Sequence, residues 1–143
     1  MTGQHDTMKE DGTEVGSVFV SNYPPYSAWS ATETPAAQAA LDRPADPGVP
    51  IGLYLHIPFC RVRCSFCYFK VYVDKDSAQV KAYLSALARE VELFASRAAV
   101  AGRSLLYVYF GGGTPSFIST TAMKELVGRV KAALPWDRAE EVS

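Results

Sequence analysis

Past residue 50 the apolar positions fall into two alternating patterns. Residues 51–57 (IGLYLHI) and 105–110 (LLYVYF) are short runs that are apolar almost throughout. Such runs predict strands, and their near-continuous apolar character predicts the buried strands of a parallel sheet. Between them the period lengthens. Val80, Tyr83, Leu84, Leu87, Val91 and Phe94 recur at three- and four-residue steps, which predicts an amphipathic helix. Asp76 or Ser77 is the expected cap and Gly102 the expected end, with Tyr83 and Phe94 read as core. A second helical run follows at Met123, Leu126, Val127, Val130 and Leu134, capped by Ser119 or Thr120 and stopped by Pro135. The closing WDRAEEVS leads toward a third strand that the chain is not expected to contain. The order β-α-β-α with right-handed crossovers makes the strands parallel. No internal repeat accompanies it.

The first 50 residues are of another kind. Residues 1–15 are polar and aperiodic, a predicted disordered tail in which His5 is a solvated side chain. In 16–30 (GSVFVSNYPPYSAWS) a brief extended piece is expected at Val18, Phe19 and Val20, before Pro24 and Pro25 prevent regular pairing. Tyr23, Tyr26 and Trp29 call for burial or a partner. Residues 31–50 are rich in Ala, Pro and Asp. Thr34 would cap a short helix with Pro35 at its first position, Arg43-Pro44 would end it, and ADPGVP is linker chemistry. The expected organisation is a tail over 1–15, an aromatic and Pro-rich arm with its linker over 16–48, and a core domain over 49–143, with the boundary near Gly48.

Composition narrows the classes. A chain of 143 residues is enough for one modest domain. It is short of a whole barrel, which takes roughly 200 residues or more. A net charge of −1 gives no general attraction to nucleic acid or to an anionic membrane. No apolar run approaches the ~18 residues of a membrane span. The cytoplasm is the expected location.

All three cysteines, Cys60, Cys64 and Cys67, lie in one C-x-x-x-C-x-x-C stretch. The stretch leaves the carboxyl end of the first predicted strand, where α/β folds place their chemistry. Three thiolates on one short loop can converge on one metal centre. Iron–sulfur clusters are normally held by four cysteines, so three leave one iron open to a small molecule. A zinc site of the three thiolates plus His56 is the alternative, and three unrelated free thiols are another. A disulfide fits poorly, because the count is odd and no signal-peptide pattern precedes it. Gly111, Gly112, Gly113, Thr114 and Pro115 follow the second strand at once, and glycines there let the backbone approach a ligand closely. Arg61, Arg63 and Lys70 surround the thiols, either as solvated loop charges or as partners for carboxylates.

The strings LYLHIPFC, CSFC and YFGGGTPSF, in that order and distance, resemble the radical S-adenosylmethionine (SAM) superfamily. Within it they are similar to the oxygen-independent coproporphyrinogen III oxidase subfamily, whose relatives include a haem chaperone and certain radical methyltransferases. The resemblance is strong over 50–118 and weak over the arm. It implies an α/β fold, a truncated radical SAM partial (β/α) barrel made of the first two βα units with an extended amino-terminal arm, as the amino-terminal part of a longer protein. It implies that Cys60, Cys64 and Cys67 hold a [4Fe-4S] cluster. It also implies SAM contacts at Tyr54, Phe66, Gly112, Gly113 and Thr114. The implied activity is reductive SAM cleavage to a 5′-deoxyadenosyl radical by an oxidoreductase acting on a small, porphyrin-related substrate, with an electron donor such as flavodoxin or ferredoxin. The 143 residues alone are expected to turn over poorly or not at all. One departure stands out: Tyr68 and Phe69 follow the third cysteine, where the oxidase has Gly-Cys.

Overall fold

The computed structural model describes residues 28–67 and 69–143. The expected tail over 1–15, and the arm before residue 28, lie outside the described residues. The chain divides into two units, 1–35 and 36–143. In the first, the Ser30 side chain accepts a hydrogen bond from Thr32 N–H at 3.2 Å and caps a 3-10 turn over Ala31–Glu33. The turn continues into helix α1 (Thr34–Leu41). Thr34 is therefore not the cap: at φ −54° and ψ −43° it is already helical, because the turn extends the helix backward to Ser30.

The second unit is a sheet covered by helices. Strand β1 (Ile51–Ile57) pairs parallel with β2 (Leu105–Gly112), in the register Leu53↔Val108, Tyr54↔Tyr109 and Ile57↔Gly112. A bulge between Ile51 and Gly52 shifts the register at the start. The third strand, which the sequence was not expected to contain, has begun: β3 (Glu141–Val142) pairs parallel with β2 in the order β1-β2-β3. A turn brings it there. Ala139 N–H donates to Trp136 O at 2.9 Å, and Trp136 is buried edge-on against Phe110. Glu140 N–H then reaches Leu106 O at 2.8 Å.

Helix α2 (Ser77–Ala95) opens with a reciprocal cap. Gln79 N–H donates to the Asp76 carboxylate at 2.8 Å, and Asp76 N–H donates to the Gln79 side chain at 3.3 Å. It buries Val80, Leu84, Leu87, Ala88 and Val91. It ends at Ala95, well before Gly102. Arg97, Val100 and Arg103 turn back through three-residue hydrogen bonds, and Ala99 N–H is drawn to Leu41 O at 2.9 Å. Phe94, expected in the core, is 41% exposed on this last turn. Helix α3 (Thr120–Ala133) is capped by the Ser119 hydroxyl and buries Leu126 and Val130.

Both long helices lie on one side of the sheet. Leu55, Ile57 and Val108 face them and are essentially inaccessible. The strands are not buried on both faces, as their apolar runs suggested. Tyr54, Tyr107 and Tyr109 occupy the other face and each remains about half exposed, at 48–49%. Gly52 leaves room there for the Tyr107 ring.

Between the helices, Arg129 makes a forked contact with Glu92 at 2.7 and 3.0 Å. The hydrogen bond from Arg129 holds the Glu92 carboxyl below its ordinary pKa, helped by its charge and by Arg89. A depressed folded-state pKa adds stability that is present above the unfolded pKa and lost as pH falls. Glu92→Gln should therefore lower stability modestly above about pH 5 and converge with the unaltered chain as pH falls further, read by urea midpoints across pH.

Candidate cofactor site

The site lies where β1 and β2 end side by side. Beyond Ile57 the chain stays extended through Pro58 and Phe59, both buried. It then leaves as a loop and returns at Tyr72. Tyr72 N–H donates to Pro58 O at 2.6 Å and Cys60 N–H donates to Tyr72 O at 3.0 Å, an isolated parallel bridge between Phe59 and Tyr72. The bridge closes the loop at its base. The glycine ribbon after β2 runs along the same extension: Gly113 N–H donates to Ile57 O at 2.8 Å and Thr114 N–H to Phe59 O at 2.9 Å.

These bonds bring Cys60, Gly113 and Thr114 together. Cys60 Sγ lies 3.5 Å from Thr114 Oγ1. A Cβ at position 113 would sit 2.8 Å from that sulfur and 2.8 Å from Phe59 O, so only glycine fits without displacement. At Gly112, φ is +107°, a conformation that disfavours side chains, and a Cβ there would strike the His56 ring.

Cys64 and Cys67 sit farther along the loop, on a tight turn in which Cys67 N–H donates to Cys64 O at 3.1 Å. The Arg63 guanidinium donates to Cys67 O at 2.9 Å, and Arg61 and Lys70 are exposed. Phe66, at the tip of this turn, is 83% exposed. All three thiols are unpaired. Among the described residues no group of three His, Cys, Asp or Glu side chains is gathered as for a metal ion. The structure thus places the ribbon against the first thiol without drawing the three sulfurs to one point.

On the open face, the Tyr54 hydroxyl is hydrogen-bonded to His56 Nδ1 at 3.0 Å, and the Tyr54 ring stacks on Tyr109 at 5.7 Å. Partial burial, and then the neighbouring Tyr109, push the Tyr54 hydroxyl above its usual pKa. His56 Nε2 faces Lys70 O at 3.4 Å. Both ring nitrogens are thus within reach of a partner. His56 thus links β1 to the returning limb of the loop.

A feature the periodicity did not disclose lies beneath the loop. Phe59 is packed edge-on against Tyr83 of α2 and stacked on Phe117 after the ribbon, and Tyr83 O–H donates to His56 O at 2.9 Å. Tyr83, read from its spacing as core, is half-buried and supports the end of β1. Tyr83→Phe should cost about 1 kcal/mol, because a part-buried carbonyl loses its donor. Urea unfolding checks the magnitude, and an unchanged midpoint would mean the bond contributes nothing.

The donor set suits an iron–sulfur cluster: three free, soft thiols within eight residues and bare backbone beside one of them. No family model matches the chain. Among curated proteins it is 32% identical over 123 residues to an oxygen-independent coproporphyrinogen III oxidase of Cereibacter sphaeroides, covering 86% of this chain and 27% of that one. It is 37% identical over 82 residues to the heme chaperone HemW of Buchnera aphidicola, covering 57% of this chain and 21% of the relative. The solved coproporphyrinogen III oxidase of Escherichia coli, described as a radical SAM enzyme, superposes with a TM-score of 0.64 at 30% identity over 76% of this chain and 24% of that one.

These likenesses relate the chain to the radical SAM proteins, whose α/β fold it shares in part. Within them its relatives are the oxygen-independent coproporphyrinogen III oxidases and the proteins that resemble those. The chain spans only about a quarter of their length. No helix among the described residues is long and apolar enough to cross a membrane.

Proposed function

We propose that this chain carries the cofactor-holding portion of a radical SAM protein. Cys60, Cys64 and Cys67 would hold a [4Fe-4S] cluster, and Gly112, Gly113, Thr114, Tyr54 and Phe66 would contact SAM. The observation that carries this reading is the ribbon backbone of Gly113 and Thr114 lying against Cys60, with two further free thiols on the same loop. When bound, such a cluster supplies the electron that splits the sulfonium of SAM into methionine and a 5′-deoxyadenosyl radical. The chain's own residues do the placing. The Phe59–Tyr72 bridge anchors Cys60 in a direction fixed by the sheet. The glycines leave backbone, without side chains, beside that thiol. Tyr54 presents a ring fixed by Tyr109 and a hydroxyl engaged with His56. The substrate class in this reading is small and porphyrin-related, with flavodoxin or ferredoxin as the kind of electron donor.

Anaerobic addition of ferrous iron and sulfide tests it. The expected result is a brown protein with ~4 iron per chain, lost in each of Cys60→Ser, Cys64→Ser and Cys67→Ser. Stoichiometric zinc with no iron would overturn it. A second reading, a haem-handling protein on the same scaffold, is favoured by the likeness to HemW, while Tyr68-Phe69 after the third cysteine departs from the oxidase pattern. A visible-band shift on adding haem to the full-length protein, with no methionine or 5′-deoxyadenosine formed from SAM under reductant, would select it.

A further inference from the structure

The turn at Cys64–Cys67 has a geometry that the cluster reading does not require. The bond from Cys67 N–H to Cys64 O makes residues 64–67 a closed four-residue turn. Such a turn keeps its end Cα atoms within about 7 Å of each other. A disulfide spans Cα separations of roughly 4.4–6.8 Å. Both thiols are free, Cys64 is exposed and Cys67 is half-buried. Cys60 is placed differently: its amide is tied to Tyr72 O, and its sulfur lies against Thr114 and the Gly113 backbone.

We propose that, in the cluster-free protein, Cys64 and Cys67 form a redox-active dithiol that closes to a disulfide while Cys60 stays reduced. The co-reactant is a low-molecular-weight disulfide such as oxidised glutathione. The exposed Cys64 thiolate attacks one glutathione sulfur, forms a mixed disulfide and expels one glutathione thiolate. The Cys67 thiolate then attacks Cys64 Sγ and expels the second. Two protein thiols are oxidised by two electrons, their two protons are released, and one glutathione disulfide becomes two glutathione thiolates, protonated according to pH. The closed pair withdraws two of the three sulfurs that would hold iron. This consequence rests on the proposed function, whereas the disulfide itself does not.

The test uses the full chain, stripped of metal and equilibrated with mixtures of reduced and oxidised glutathione, then alkylated and digested with trypsin. Cleavage after Arg63 and Lys70 releases a peptide, 64–70, that contains Cys64 and Cys67 without Cys60. The expected product is this peptide unalkylated and lighter by two hydrogens, with Cys60 alkylated. Cys67→Ser should instead trap glutathione on Cys64. Three alkylated thiols throughout, stable glutathione adducts on the unaltered chain, or a bridge to Cys60 would each overturn the proposal. Iron uptake by oxidised and re-reduced protein separates the two readings. If re-reduced protein takes up no iron, the cluster assignment fails while the peptide mass still decides the disulfide.

Discussion

Gly113→Ala is expected to lower stability by about 1–3 kcal/mol and to dislodge Cys60. The added methyl would meet Phe59 O, a backbone atom already accepting from Thr114 N–H, and Cys60 Sγ. The sulfur can rotate away, but the carbonyl cannot move without breaking the link between the ribbon and β1. Two readings check the outcome: the urea midpoint, and the rate at which Cys60 reacts with a maleimide. Gly128→Ala is the control. It lies in α3 with nothing near its added methyl, and should stabilise by roughly 0.5–1 kcal/mol through helix propensity alone. Equal stability of Gly113→Ala and the unaltered chain, with Cys60 no more reactive, would mean that the ribbon does not press on the thiol as described.

Leu55→Ala should have a still larger effect on the fold. Leu55 is 1% exposed, on the covered face of β1 in register with Phe110. Its removal leaves a cavity between the sheet and the helices, at a cost of about 2–5 kcal/mol. Leu106→Ala, on an exposed residue near the bulged start of the sheet, should stay within about 0.5 kcal/mol. The difference between their urea midpoints measures how much of the stability resides in the covered face, and comparable losses would contradict the one-sided sheet.

Much of this frame could be read from residue order. β1 coincides with its apolar run, and the caps at Asp76 and Ser119 follow from side chains that compete for free amides. β2 runs two residues beyond its expected end because Gly111 and Gly112 go on pairing with His56 and Ile57, and glycine's weak strand preference hides a ladder that needs only backbone. β3 is short and polar at its start, with no run to betray it. The open face was concealed by Tyr54, Tyr107 and Tyr109. Their rings count as apolar in a strand pattern, yet their hydroxyl ends tolerate water. At the site, the three cysteines and the glycine triplet were visible as motifs. The contact between Cys60 and Thr114 was not, since only the parallel register brings residues 54 positions apart into reach.

The bridge between Phe59 and Tyr72 separates the rigidity of the scaffold from the freedom of its thiol arm. Deuterium should enter the amides at the arm's tip long before those of Cys60, Tyr72 and the ribbon, which are held by sheet-like bonds. Insertions or swaps between positions 61 and 67 would then alter the spacing of the thiols while the architecture below, with buried Val71 left in place, keeps its melting behaviour. In that sense the arm is an exchangeable cassette, with its fixed end at the first sulfur.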